Sequence, residues 1–470
     1  MILDSHAADM LNQIPRSVVP EIAFPALPDP QASAMLALQY QLEASQWMPA
    51  ATILARQLEQ LRKVFDHARR TVPYYATLFA GSGTGGPEGF TLDFLRTLPI
   101  STRAVVQKAD AQMRSRAIPP AHGKTFPLTT SGSTGQPVKL LATDVTKLIW
   151  LALTLRDHSW HQRDFSRRLC AIKWAARGSC DPPDGHREEG WGAAVDVLYD
   201  SAPAAMLNVT ATMPEQVAWL LREKPGYLIS YPSNLAALAA YCIKQKTTLP
   251  GLTEVRTIGE TLTPAQRVLF RSAWDVNTVD LYSCEETGYI ALQCPRHEHY
   301  HVQSENVLLE IVDEDGNPCG PGESGRVLVS SLHNFATPLL RYELGDHAVF
   351  GEACPCGRHL PVITKVLGRT RNRLILPDGR SEFPYLGEHG QTQRLTGVHV
   401  QAFQFVQHSV QEVEVKYVTD RAFTPGETDK VIRMVQENLG YPFRIRITHC
   451  DAIPAGARGK FEEFVSLVEL

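Results

Sequence analysis

The chain has 470 residues, of which 44% are hydrophobic and 20% charged, and its net charge is −4. That balance leaves room for two or three folded cores and excludes a low-complexity or fibrous chain. It has no basic stripe to suggest nucleic acid, no polybasic run to suggest a membrane surface, and no apolar span long enough to cross a bilayer. The opening residues MILDSHAADMLNQIPR lack a charged stretch followed by an apolar run, so no export signal is expected. Nine cysteines, an odd number, then point to reduced thiols or metal ligands, and the cytoplasm is the expected location.

Residues 1–33 are rich in proline (Pro15, Pro20, Pro25, Pro28, Pro30) and predict an extended arm. Ile53, Leu54, Leu58, Leu61, Val64, Phe65 and Ala68 then recur at helical spacing, and Val72-Pro73 should end that helix. Next comes LTTSGSTGQPVKL, residues 128–140. Gly132 and Gly135 can turn backbone N–H groups toward an anion, while Thr129, Thr130, Ser131, Ser133 and Thr134 add hydroxyl donors. The stretch reads as a phosphate cradle. It is neither a G-x-x-x-x-G-K-[ST] loop nor a G-x-G-x-x-G fingerprint.

From 140 to 250, helical stretches alternate with short apolar runs, as in an α/β layer fold. Residues 146–155 and 232–244 read as helices, 168–173 and 227–230 as strands, and 178–192 as a polar loop. Residues 255–262 (VRTIGETL) predict a strand and a polar turn at Gly259-Glu260, and VDLYSCEETG (279–288) puts two carboxylates at a strand end. Strands follow at 307–312, turned by Asp315-Gly316, and at 325–330. Cys354-Pro355-Cys356-Gly357 forms a C-x-C turn, and Cys294 lies just before His297, His299 and His301. Three thiolates with one imidazole would make a closed zinc tetrad, which is the structural type. The last hundred residues predict a separate small β-α-β layer: Val413, Val415 and Tyr417 alternate, Thr424-Pro425-Gly426-Glu427 caps a helix over 427–439, and Phe443, Ile445 and Ile447 alternate again.

These motifs, taken in order, resemble those of adenylate-forming enzymes, and most closely the phenylacetate–CoA ligase branch. SGSTGQPVK is similar to the family's ATP loop, QLRKVFDHARRTVPYY to the branch's N-terminal helix, and PLLRYELGDHAVF to its RY-x-x-GD segment. The resemblance implies an α/β fold with a large N-terminal multi-sheet α/β domain and a smaller, mobile α+β C-terminal domain. The expected organisation is an arm at 1–33, an adenylation domain with ATP and acyl sites at 34–371, and a lid at 372–470.

The resemblance also implies residue roles. ATP or AMP would be held by Thr130, Ser131, Gly132, Ser133, Thr134, Gly135, Gly259, Glu260, Tyr282, Asp346 and Arg369, with Asp346 accepting both ribose hydroxyls. Glu286 would hold Mg²⁺, Lys460 in IPAGARGKFEEF would be the catalytic lysine, and Asn372 stands where the hinge Asp is usual. Trp174 and Tyr231, with Trp191, would line the acyl pocket. Within the branch, His301 is favoured as the fourth ligand beside Cys294, Cys354 and Cys356, ahead of His297 and His299.

The implied function is ATP-dependent activation of a carboxylic acid as an acyl-adenylate. Transfer to coenzyme A is the leading acceptor reading. A carrier-protein thiol, an amine, or adenylyl transfer to a deazaflavin hydroxyl are the alternatives. Ser283, Glu285 and Asn372 depart from the family motifs, which motivates a different class of reading, a nucleotide-binding relative without catalysis.

Overall fold

A computed structural model describes residues 14–80, 89–130, 137–387, 390–454, 456 and 460–468. The backbone divides into two units. The first holds the described residues of Met1–Leu169, Arg187–Ala205 and Asp280–Val366; the second holds those of Cys170–His186, Met206–Val279 and Leu367–Leu470.

In the first unit, the helix Pro30–Ser45 begins inside the segment expected as an arm, because Asp29 accepts the Ala32 N–H and Pro30 takes the first helical position. The helix Ala50–Thr71 buries Ile53, Leu61, Val64, Phe65 and Ala68, the stripe read from the sequence. Val72 is extended (φ −101°, ψ 114°), as a residue before proline should be, and the chain restarts as the helix Pro73–Leu78. Gln57 fixes the long helix by donating to the Ser304 and Val307 carbonyls at 2.8 and 2.9 Å.

An antiparallel sheet lies beneath these helices. Val307–Val312 pairs with Ser324–Ser331, which pairs with Tyr342–Phe350. Asn277–Cys284 pairs with Gly288–Gln293, that strand with Tyr300–Val302, and Tyr300–Val302 with Val362–Arg369. The buried Arg341 guanidinium meets Glu310 at 3.1 Å and donates to the Arg96 and Leu98 carbonyls at 2.7 Å, so one cation ties a strand to a preceding loop. The helix Asp144–Trp160 extends past both expected ends, and a Thr143–Thr146 capping box sets its start.

The second unit contains a β-α-β step. Tyr227–Ser230 and Glu254–Thr257 pair in parallel, with the helix Pro232–Gln245 between them in sequence. Parallel pairing needs such a crossover. The C-terminal part repeats the device. Val400–Ser409 and Glu412–Thr419 are antiparallel, then the helix Pro425–Leu439 carries the chain to Arg444–His449, parallel to Glu412–Thr419. Thr424 and Glu427 form the expected capping box. Phe405, Val415, Tyr417, Val431, Val435 and Phe443 make its core. The α/β class expected from the sequence is borne out, with a large multi-stranded sheet and a smaller C-terminal layer.

All nine cysteines are free thiols. Among the described residues, no helix is long and apolar enough to cross a membrane.

Phe65 is fully buried and touches three other phenylalanines, with ring centroids 5.0 Å from Phe79, 5.4 Å from Phe90 and 5.6 Å from Phe94. Phe65→Ala should cost about 3–5 kcal/mol, because the surrounding rings cannot all collapse into the space. Denaturant unfolding of the two proteins would read this as a lower midpoint at unchanged slope.

Candidate active site

In the first unit, a bulge helps to aim the site. Asn277–Cys284 pairs with Gly288–Gln293, but the register slips between Tyr282 and Ser283. Such slips bend a strand and redirect its side chains. The Tyr282 hydroxyl donates to Asp346 Oδ2 at 2.8 Å, and both residues are buried. Asp346 follows Gly345, which takes the left-handed region at φ 76°.

The turn joining those two strands carries Glu285, which is exposed, and Glu286, which is buried. Arg103 donates to Glu286 Oε1 at 3.2 Å, and the Tyr342 hydroxyl donates to the same oxygen at 3.3 Å. Burial, then the neighbouring Glu286 charge, pushes the Tyr342 phenol well above its ordinary range, so it stays a donor. Arg103 also donates to Thr130 Oγ1 at 2.7 Å, and that oxygen accepts the Val138 N–H at 2.9 Å. One guanidinium thus joins Glu286 to Thr130. Ser131, Gly132, Ser133, Thr134 and Gly135 lie outside the described residues.

In the second unit, the chain turns sharply after the strand Glu254–Thr257. Gly259 has φ 74°, and a side chain there would meet Lys460 Nζ at 3.2 Å and the Tyr231 ring at 3.5 Å. The turn therefore needs glycine both for its backbone and for the approach of the lysine. Glu260 accepts the Ser233 N–H and hydroxyl at 3.0 Å each, and the Phe461 N–H at 2.6 Å. Burial raises the Glu260 carboxyl above its ordinary value, opposed by these bonds and by Lys460. Burial and the Glu260 charge push Glu463 up to about 7.

Tyr231 is buried, and its hydroxyl accepts the Trp174 N–H at 3.3 Å. Tyr231, Trp174, Gly259 and Lys460 are thus gathered in one region of this unit. Trp191 belongs to the first unit, where it packs on Phe165 at 5.1 Å and donates to the Arg167 carbonyl. It is a core aromatic there. Arg369 ends the strand Val362–Arg369, and Asn372 closes the turn Thr370–Asn372, where its Oδ1 is buried without a hydrogen-bond partner among the described residues.

Comparison with known proteins shows what the chain is similar to. Residues 392–466 match the family model described as the CapK C-terminal domain. Phenylacetate–coenzyme A ligase of Thermus thermophilus is 25% identical over 353 residues, 72% of this chain and 75% of that protein. The solved structure of 2-hydroxyisobutyryl-CoA ligase in the postadenylation state with 2-HIB-AMP aligns at a TM-score of 0.70. It is 17% identical and covers 90% of this chain and 91% of that chain. The same ligase with 2-HIB-AMP and CoA in the thioesterification state aligns at a TM-score of 0.57, also at 17% identity and over 90% and 91% of the two chains. The likeness to the solved ligase structures shows that this chain shares their fold.

The chain also carries a cysteine–histidine cluster, in the first unit. One ligand atom from each of Cys294, His299, His301 and Cys354 lies within 4.8 Å of the others. The Cys294 and Cys354 sulfurs are 3.9 Å apart, and Cys356 Sγ lies 3.4 Å from His301 Nε2. Burial opposes ionisation of Cys356, yet hydrogen bonds from His301 and Arg358 outweigh it and bring the thiol down to about 5. His297 stacks on His299 at 5.0 Å. All three sequence-assigned cysteines gather around His301, and His299 joins them.

Sequence reasoning missed Arg103 and Ser233, and it placed Tyr342 in the RY-x-x-GD segment without a role of its own. A signal existed for Arg103. Thr102 caps the helix Arg103–Ala109, which sets a cation at a helix N-terminus, where the dipole disfavours it. A residue held against that gradient has another partner, here Glu286.

Arg103→Ala should destabilise the chain by about 3 kcal/mol, because Glu286 is left buried with one fewer counter-group. Adding Glu286→Gln should recover more than half of that loss. Denaturation midpoints of the two singles and the double close the cycle; no recovery would mean that the ion pair does not set the cost.

Proposed function

We propose that this chain is an ATP-dependent carboxylate-activating ligase that forms an acyl-adenylate and passes the acyl group to coenzyme A. The reading rests above all on the approach of Lys460, near the chain's C-terminal end, to the Gly259-Glu260 turn, with Nζ 3.2 Å from where a Gly259 side chain would begin. A point charge on a flexible stem at that position suits a reaction in which negative charge builds on phosphate.

An oxygen of the substrate carboxylate attacks the α-phosphorus of ATP. The new bond is carboxyl oxygen to phosphorus, and the bond that breaks joins the α-phosphorus to the bridging oxygen, which leaves with pyrophosphate. Lys460 offsets the charge on the α-phosphate and the incoming carboxylate. Asp346, oriented by the Tyr282 hydroxyl at 2.8 Å, receives the ribose hydroxyls. Thr130, the loop 131–135, Gly259 and Arg369 complete the nucleotide contacts. In the second half-reaction the CoA thiol loses its proton, its sulfur bonds to the acyl carbon, and AMP departs. Trp174 and Tyr231 form the wall of an acyl pocket, and an aryl or related acid is the substrate class they suit. The adenylation domain spans 34–371 and the lid 372–470, with Asn372 as the hinge.

Two metal ions fit the residues present. Glu286 presents Oε1 to Arg103 and Tyr342, while Oε2 makes no hydrogen bond among the described residues, which suits a hard cation such as Mg²⁺. When bound there, Mg²⁺ supplies positive charge against the phosphates. Cys294, His301 and Cys354, with Cys356 or His299, fit a structural Zn²⁺: the 3.9 Å separation of the Cys294 and Cys354 sulfurs is that of neighbouring tetrahedral ligands at about 2.3 Å from an ion. Reduced thiols and a metal of this kind suit the cytoplasm.

ATP–pyrophosphate exchange across aryl, alkyl and amino acids, with Mg²⁺ and no acceptor, tests the first half-reaction. Exchange should appear with one acid class. Lys460→Ala should lower it by about 10²–10³-fold while ATP still binds by calorimetry. Exchange at the wild-type rate would remove Lys460 from the chemistry, and none from the wild type with any acid would sink the ligase reading. Separately, the purified protein should hold about one zinc per chain by elemental analysis. Cys354→Ser should empty the site and lower the melting temperature; full zinc content in that variant would refute the ligand set.

A further inference from the structure

Glu260 stands in the segment assigned to the nucleotide, but its carboxylate is engaged elsewhere. Oε2 accepts the Ser233 N–H at 3.0 Å, and Oε1 accepts the Ser233 hydroxyl at 3.0 Å and the Phe461 N–H at 2.6 Å. Ser233 lies in the first turn of the helix Pro232–Gln245, whose N-terminal N–H groups have no partner within the helix. A carboxylate there is held by that N–H and by the helix dipole. Its second task is to hold the backbone of the residue next to Lys460.

The segment around Lys460 is fixed at successive residues. Gly456 N–H donates to the Lys460 carbonyl at 2.7 Å, and Phe405 N–H donates to the Glu463 carbonyl at 2.8 Å. The Gln404 amide donates to the Glu462 carbonyl at 3.0 Å, and the Glu462 side chain pairs with Arg371. These bonds join the segment to the C-terminal layer. The Phe461–Glu260 bond joins it to the layer of Met206–Val279, one peptide unit from the Lys460 α-carbon. The Lys460 stem then lies against Gly259, the neighbour of Glu260.

We infer that Glu260 is a positioning residue for Lys460: its carboxylate, oriented by Ser233, latches the Phe461 N–H and so sets where the Lys460 ammonium stands during adenylation. The inference rests on the ligase reading above for its chemistry, although the latch is itself a structural claim. It separates Glu260 from the nucleotide contacts. A nucleotide ligand affects how tightly ATP binds, whereas a latch affects how often the lysine is in place. A displacement of about 1 Å at a catalytic group can cost 10²-fold in rate, so one backbone bond at this position matters. The latch acts in the first half-reaction, where Lys460 is needed, and leaves the second untouched.

The variants are Glu260→Ala, Glu260→Gln and Ser233→Ala in the full chain. With the acid that supports ATP–pyrophosphate exchange, Glu260→Ala should lower kcat by about 30–100-fold at an ATP KM within about threefold of wild type. Glu260→Gln keeps an oxygen for the Phe461 N–H and should recover to within about tenfold of wild type, and Ser233→Ala, which removes one orienting bond, should lose about three- to tenfold. Conversion of the preformed acyl-adenylate to acyl-CoA should be unchanged in all three. A readout free of turnover accompanies these: amide hydrogen exchange in the peptide spanning 460–464 should be faster in Glu260→Ala. Ser233→Ala gives the same direction should Glu260→Ala fail to fold. A raised ATP KM at full kcat would make Glu260 a nucleotide ligand and overturn the latch, and so would unchanged amide exchange. If the wild type shows no exchange with any acid, the ligase reading fails while amide exchange still decides the latch.

Discussion

A carboxylate withdrawn from water has to be given donors, and in this chain each candidate-site carboxylate takes them from distant sequence. Glu286 takes Arg103, 183 residues away, and Asp346 takes Tyr282, 64 away. Glu260 takes Phe461, 201 away. Leaving any of these unpaired would cost several kcal/mol, comparable to the whole net stability of a domain. Satisfying the charges and assembling the site are therefore one requirement. Within each unit, the strands and helices bring the paired segments near each other, and the carboxylates select the arrangement in which each pair meets.

The same requirement explains what the sequence made legible. Elements defined by local rules could be read directly. Tyr227–Ser230 was a short β-branched and aromatic run, and Thr424 with Glu427 announced the helix Pro425–Leu439. The helix Pro30–Ser45 was hidden because proline was read as a mark of extended chain, when Asp29-Pro30 is also a helix start. Site residues carried by contiguous motifs could be named, among them Tyr282, Glu286, Asp346 and Lys460. The ones missed, Arg103 and Ser233, act through partners 183 and 27 residues away, and no local pattern names a partner at such a separation. Trp191 shows the converse, since an aromatic beside a polar loop looks exposed until Phe165 and His158 are found packed against it.

The cysteine–histidine cluster shows a further limit. His297, His299 and His301 alternate along one short stretch, so spacing alone cannot say which faces the sulfurs. The fold around the cluster decides. His301 lies in the strand Tyr300–Val302 and is fully buried, with the Trp160 ring edge-on at 5.8 Å. Arg358, two residues past Cys356, lies 4.6 Å over Trp160 and 5.0 Å over Trp47, and donates to Gln46. Arg156 faces Trp160 at 5.2 Å and pairs with Glu305 at 3.0 Å. This run of guanidinium and indole groups fastens the end of the first helix to the C-x-C turn. The cysteine–histidine cluster is thus braced by cation–π contacts worth roughly 1–2 kcal/mol each when desolvated.

Energetics also bear on how Lys460 is held. A single backbone hydrogen bond to a charged acceptor contributes about 1.5–3 kcal/mol. That is enough to keep the Phe461 N–H on Glu260 most of the time, and little enough to be broken thermally. The surroundings sharpen this balance. Glu463, close enough to Glu260 for their charges to oppose each other, is pushed up to about 7. Burial raises the Glu260 carboxyl as well, opposed by its hydrogen bonds and by the nearby Lys460, so the two neighbouring carboxylates disfavour each other's charge. A stronger clamp, such as the doubly bonded Arg341–Glu310 pair of the first unit, would immobilise the segment. The chain uses that pair in its core and a single backbone N–H next to its lysine, so the two contacts differ in how firmly they hold their segments.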